Sequence, residues 1–276
     1  MTDPARPAKP RRSPVQVIRE ARGYVSTAGL MLAVVGLAAL AFAPFGVREG
    51  MFGLDYAVST VALGWAGTLA SLGVAVAVLA LLLVLAVAPR RGLVVPLLAL
   101  AVGAGVLAAT GQLRAIVASH PPIHEAATDW SEPLTFGPSA SAARGADAND
   151  LFADPRVGIN RVAPRLEGQR VAEINARTCP GAVPAVIMAA PAAAYDKTRA
   201  ALLAEGMTLV TENPASGRLE ATGQTRWLKL AYDVVARIQV EGAGARIDFR
   251  SVSRSGEIDL GDNCRRITRL RRAVVE

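Results

Sequence analysis

The sequence predicts an α+β class: three N-terminal transmembrane helices followed by a small soluble domain with an antiparallel sheet and two helices. Three observations carry this. Apolar stretches cover 25–46, 56–88 and 93 to about 116, the first two uncharged and the third with Arg114 near its end. Each supplies the roughly 20 apolar residues that a helix needs to cross a bilayer core of about 30 Å. The C-terminal hundred or so residues then alternate polar and apolar positions between short turns, and they end in an amphipathic segment. Composition agrees. With 52% hydrophobic and 19% charged residues and a mean hydropathy of +0.33, the chain is not a disordered one. Two cysteines exclude a disulfide-dense mini-protein and a four-cysteine zinc framework.

The polar tail 1–24 carries Arg6, Lys9, Arg11, Arg12, Arg19 and Arg22 against Asp3 and Glu20. Arg90 and Arg91 lie between the second and third stretches, whereas Arg48 faces Glu49 and Asp55 between the first and second. The positive-inside rule therefore places the tail in the cytoplasm and everything after Ser119 outside it, in the periplasm of a cell whose inner membrane holds the three spans. The first stretch has a second reading, as a secretory signal cut after Ala41-Phe42-Ala43. Its length beyond the usual apolar region of roughly 7–15 residues, and Pro44 directly after the cut, favour an uncleaved anchor. No Asp, Glu, Lys, Arg or His falls between residues 25 and 47, 56 and 89, or 92 and 113, which argues against transport; Arg114, near the end of the third stretch, is placed to snorkel. Ala66-xxx-Ala70, Gly67-xxx-Ser71 and Ala101-xxx-Gly105 offer close helix packing, and plain abundance of small residues explains them equally well.

The division by domain is then a cytoplasmic basic tail 1–24, a three-helix membrane region 25–118, a periplasmic linker 119–176 and an α+β domain 177–276. The linker reading rests on His120-Pro121-Pro122, which cannot continue a helix, and on the small-residue run 137–145. In the domain, Pro191 opens a helix and Gly206 closes it. Met207–Thr211 is a short strand, and Asn213-Pro214 with Ser216-Gly217 is a turn. Leu219, Ala221 and Gly223 alternate with polar residues. Trp227–Val240 is a long strand, and Gly242-Ala243-Gly244 turns it into 246–252. This pattern predicts a sheet with one solvated face. Asp262 is the expected N-cap of the last helix, whose apolar face is Cys264, Ile267, Leu270 and Val274.

The densest polar cluster joins the last strand to that helix. It reads Arg250-Ser251-Val252-Ser253-Arg254-Ser255-Gly256-Glu257-Ile258-Asp259-Leu260-Gly261-Asp262-Asn263. This string resembles that of the domain of unknown function 1499 family. The segment from Pro121 to Asp129 and that from Cys179-Pro180 to Ala190-Pro191 are also similar to the family, notably to its membrane-anchored bacterial members. The resemblance covers roughly 177–276. It implies a small α+β domain, often membrane-attached or exported, with no established reaction. Members often pair two acidic residues in the long strand. Here Ala231-Tyr232-Asp233 keeps only the second, which puts a two-carboxylate mechanism there in doubt.

Bottom-up, the cluster has two readings. In the first, Gly256 and Gly261 permit turns, Asp259 or Asp262 caps the helix, and Arg250 and Arg254 pair with carboxylates such as Asp233, Asp248 or Asp259. In the second, Arg250, Ser251, Ser253, Arg254, Asp259 and Asn263 converge on a bound anion. The expected function is a non-enzymatic module that binds an envelope partner or an anionic ligand beside the bilayer. The alternatives are an envelope hydrolase using Asp233 and Asp259 as acid and base, and a signalling relay. No cofactor is expected. His120 and His124 lack a third metal ligand beyond Glu125, so no metal site is expected either. Nucleic acid is not an expected partner, because the net charge of +7 is mostly topological: residues 119–276 hold 20 basic and 19 acidic groups. Cys179 and Cys264 are candidates for a disulfide or, for Cys264, a buried apolar position.

Reporter fusions after residues 20, 50, 91 and 276 test the orientation. Cytoplasmic signals are expected at 20 and 91 and external ones at 50 and 276; a cytoplasmic signal at 276 contradicts it.

Overall fold

A computed structural model describes residues 13–159 and 163–276. Arg6, Lys9, Arg11 and Arg12 of the basic tail lie outside the described residues. The chain forms two compact units. One takes the residues through Ala43 together with Val58–Leu113, and the other takes Pro44–Ala57 and Arg114–Glu276.

Three helices are long and apolar enough to cross a membrane: α1 (Pro14–Arg48), α2 (Leu54–Ala86) and α3 (Val94–Ser119). Helix α1 runs through Ala41–Ala43 without a break. In the first unit small residues set the packing. A Cβ on Gly73 would stand 2.8 Å from the Ala33 nitrogen, and one on Gly103 would stand 2.6 Å from Val74 Cγ2. Ala66 and Ala70 are fully buried. The third helix, however, turns Ala99 and Gly103 inward, not Ala101 and Gly105. Several registers of one alanine- and glycine-rich helix satisfy the spacing, so the motif does not select a face.

The second unit is built on a six-stranded antiparallel sheet of β1 (Glu125–Ala127), β2 (Ala185–Ile187), β3 (Thr208–Asn213), β4 (Arg218–Gln224), β5 (Ala231–Glu241) and β6 (Gly244–Ser253). The order is β1-β6-β5-β4-β3, with β2 also pairing β6. Helices α4 (Val171–Thr178), α5 (Pro191–Ala204) and α6 (Asp262–Val275) accompany it. Pro191 begins α5, and Gly206 follows it at φ +78°, a backbone state that glycine adopts without steric cost. The long strand starts at Ala231, not Trp227, because 225–230 folds into a turn with the Leu230 N–H on Thr225 Oγ1.

One sheet face carries Leu219, Ala221, Val234, Ala236, Ile238, Ala245, Ile247 and Phe249. These pack with Ala194, Tyr195 and Leu202 of α5 and with Ile267, Leu270 and Val274 of α6. The stripe predicted for the last helix is thus the stripe that meets the sheet. Cys264, the fourth residue of that stripe, is bonded to Cys179 across a Cα–Cα distance of 5.7 Å.

The opposite face is not solvated. Residues 128–152 cross it as a strap, and β1 adds to its edge, with Glu125 opposite Val252. The segment expected to be a linker is therefore part of the domain. Its prolines and small residues do prevent long helices, but its backbone groups are satisfied on the sheet: the Thr128 N–H donates to Phe249 O (2.9 Å) and the Asn149 N–H to Arg254 O (2.8 Å). Such pairing is what a buried backbone requires.

The bridge closes a separation of 85 residues. Replacing both cysteines by alanine is expected to lower stability by about 3–5 kcal/mol, read by denaturant unfolding of the detergent-solubilised chain. An unchanged midpoint would deny the bridge a stabilising role.

Candidate functional site

The strap face of the sheet is a layer of buried charge. Arg250, only 1% exposed, donates from Nε and Nη2 to Glu125 Oε2 at 2.8 and 2.6 Å. Its remaining N–H groups reach Leu134 O and Phe152 O, both at 2.7 Å, and its plane lies 5.6 Å from the Trp130 ring centroid. Asp233 accepts from Arg144 at 2.5 Å and from Arg254 at 2.7 Å. Arg254 also donates to Ala143 O and Thr222 Oγ1. Asp248 accepts from Thr128, Arg246 and Arg237, and Glu220 accepts from Thr211, Arg218 and the Gly137 N–H. Burial pushes the Glu125 carboxyl up against the opposing pull of Arg250, and its Oε1 finds no partner among the described residues.

The helix face holds a second network. Alternation along β6 sends Arg250 and Arg254 to the strap and Ser251 and Ser253 toward α6. Ser251 Oγ donates to Asn263 Oδ1 at 2.6 Å, which also accepts from Arg266 at 2.7 Å. Asn263 Nδ2 reaches Asp259 Oδ2 (2.7 Å), His124 O (2.8 Å) and Ser253 Oγ (2.9 Å). Asp259 accepts the N–H groups of Gly261 (2.8 Å) and Asn263 (3.1 Å). Asp259, not Asp262, thus satisfies the orphan donors at the start of α6. Asp262 sits in the first turn and pairs Arg265 and Arg266 instead. Burial pushes the Asp259 carboxyl up, while the N–H groups of Gly261 and Asn263 hold it down.

Four of the six residues read as an anion site therefore meet: Ser251, Ser253, Asp259 and Asn263. Arg250 and Arg254 do not join them. Asp233 and Asp259 also fail to meet, since Asp233 is closed in by Arg144 and Arg254 on the strap face. Neither histidine joins the other. His120 Nδ1 bonds Ile116 O at 2.8 Å. His124 lines a cavity of about 360 Å³ with Asp147, Asn149, Asp150 and Glu257.

A larger cleft of about 510 Å³ opens between the β4–β5 turn, the 253–262 loop and α6. Ser253 and Asp259 line it with Tyr232, Arg226, Arg265, Arg266 and Arg269. Arg266 is the residue that links the cleft to the polar network. It is 3% exposed, lies 3.3 Å from the Tyr232 ring centroid, and keeps Nε without an acceptor among the described residues. Tyr232 fits there because its partner across the ladder is Gly223, where a Cβ would come within 2.5 Å of Tyr232 Oη. Arg265 and Arg269 are half exposed, paired with Asp262 (3.1 Å) and Glu205 (2.8 Å). Pairs of this kind contribute about 0–1 kcal/mol and exchange readily for another anion. The basic side of α6 was visible in the sequence. The contributions of Tyr232, Arg226 and Trp227 were not, because nothing local to the 225–232 segment brings it to α6.

A family model described as "Protein of unknown function (DUF1499)" matches residues 125–274. No curated protein and no solved structure matches. The matched span begins at β1, so it takes in the strap.

Breaking the central pair tests the charge layer. Glu125→Ala is expected to cost about 3–5 kcal/mol by stranding Arg250, and Glu125→Leu with Arg250→Met to cost much less, by denaturant unfolding. Equal losses would contradict that.

A second test uses pH. Burial, with Arg144 and Arg250 nearby, lowers His124 from 6.5 to about 4, and Asp150 opposes the shift. The unfolded chain then binds a proton that the folded chain refuses. Stability from this group is complete above pH 6.5 and is lost on acidification toward pH 4, by at most about 3 kcal/mol. Glu125 and Asp259, shifted upward, act in the opposite sense. The difference between wild type and His124→Asn isolates the histidine, and identical pH profiles would refute its role.

Proposed function

We propose, for a chain that belongs to the DUF1499 family, that its second unit is a ligand-binding module held at a membrane by the three helices, and that the ligand is anionic. The unit works on the outer, periplasmic side of an inner membrane, as the loop charges of the sequence indicate. The site is the cleft over α6, with Arg226, Arg265, Arg266 and Arg269 as the cationic groups and Ser253 as a neutral donor. The observation that carries this reading is the convergence of four arginines on one cleft, with Arg266 buried in its wall and Arg265 and Arg269 half exposed. An anion in the cleft meets the half-exposed guanidinium groups, which make charge-assisted hydrogen bonds, with the charge of Arg266 behind them.

Asp259 and Asn263 set the position of Arg266 and do not themselves bind the anion. Asp259 fixes Asn263, and Asn263 Oδ1 accepts from Arg266. Arg250 and Arg254 serve the fold. This reading narrows the set of six polar residues to one and moves the cationic part of the site to α6.

The test is titration of the detergent-solubilised full chain with sn-glycerol 3-phosphate, followed by native mass spectrometry. Saturable adducts are expected, weakened about tenfold in Arg265→Ala, the loss of one charge-assisted hydrogen bond. Binding that Arg265→Ala leaves unchanged would refute the reading.

A further inference from the structure

Residues 44–57 join the first apolar stretch to the second, so they stand where the chain leaves one span and enters the next. They belong to the same compact unit as the sheet. The contacts are specific. Arg48 Nη1 donates to Trp227 O at 3.1 Å, the Glu257 N–H donates to Asp55 Oδ1 at 3.3 Å, and Leu54 packs over Gly256. The β4–β5 turn and the 253–262 loop, which form two walls of the arginine cleft, are therefore fastened to the segment that joins the first two apolar stretches.

That turn reads Thr225-Arg226-Trp227-Leu228-Lys229-Leu230. Trp227 is 77% exposed despite its size. Tryptophan beside basic residues is the composition that partitions into a headgroup layer. The cleft is also amphiphilic. Besides its four arginines, it is lined by Leu54, Trp227, Leu228, Leu230, Ile258 and Leu260. A free inorganic anion uses none of that apolar surface. A phosphate that carries a glycerol and acyl chains uses both.

We infer that the cleft takes the headgroup of an anionic glycerophospholipid from the bilayer in which the protein sits, the phosphate on the α6 arginines and the glycerol and upper acyl carbons against Trp227, Leu228 and Leu54. This rests on the anion-site reading above and specifies its ligand class. Arg265 and Arg269, now held by the half-buried carboxylates of Asp262 and Glu205, exchange those partners for the lipid phosphate. Arg226, on the turn itself, supplies charge from the other side of the cleft.

The experiment offers the full chain in non-ionic detergent three probes: dioctanoyl phosphatidylglycerol, dioctanoyl phosphatidylcholine and sn-glycerol 3-phosphate. Adducts are counted by native mass spectrometry. Phosphatidylglycerol is expected to bind at least tenfold more tightly than either other probe. Arg226→Ala with Arg265→Ala is expected to lower its binding at least tenfold, with an unchanged melting temperature. Glycerol phosphate binding as tightly as phosphatidylglycerol would overturn the lipid inference and leave the anion site standing. Equal binding of phosphatidylcholine and phosphatidylglycerol would also overturn it. Phosphatidylglycerol binding that survives the double substitution would place the lipid elsewhere. No binding by either anionic probe would end both readings. An independent arm uses vesicles whose acyl chains carry bromine: the fluorescence lost in Trp227→Phe is expected to be the quenched component, and an unquenched Trp227 would contradict a headgroup position.

Discussion

Arg250 and Glu125 meet at 2.6 Å in the middle of the domain, where neither reaches water. Around them lie Asp233 with Arg144 and Arg254, Asp248 with Arg246 and Arg237, and Glu220 with Arg218. Desolvating such groups costs several kcal/mol per ion before any pairing, so a layer of this kind tolerates few arrangements. Its value is in specification. Each carboxylate must find its own donors, and the arginines that remain must find carbonyls. Leu134 O, Ala143 O, Asn149 O and Phe152 O supply them, all from the strap. The position of residues 128–152 follows from that demand.

The strap in turn sets the geometry of the cleft. Asn149 bonds Ser253 O and Gly256 O, and the Asp259 N–H donates to Ile123 O. The loop 253–262 is thereby held from the strap side while Asn263, Ser251 and Arg266 hold it from the helix side. The disulfide fixes the first turn of α6 to the segment that follows α4. A cleft whose cationic groups lie on one helix needs that helix held in register, and these ties do so.

Much of this architecture was legible in the sequence, and the misses share a cause. The apolar spans, the α5 boundaries at Pro191 and Gly206, the β5–β6 hairpin and the α6 stripe all rest on side-chain patterns, and all are present. The strap looks like a linker in sequence because many of its contacts are made by backbone carbonyl oxygens, which residue identity does not report. The charged residues of β4, β5 and β6 predict a solvated face for the related reason that Arg, Asp and Glu usually face water. Strands β1 and β2, three residues each, are too short to show a period. The anion-site string 250–263 was recognisable as polar and dense, yet alternation along β6 already separates Arg250 and Arg254 from Ser251 and Ser253.

The central claim is that the strap is a structural layer of the domain. Amide hydrogen exchange on the full chain tests it most directly. The amides of Thr128, Asn149 and Ser253 should exchange with protection comparable to the centre of β5 and β6, as parts of one cooperative unit. Exchange of Thr128 and Asn149 at the rate of an unstructured peptide, with β5 and β6 still protected, would contradict the account.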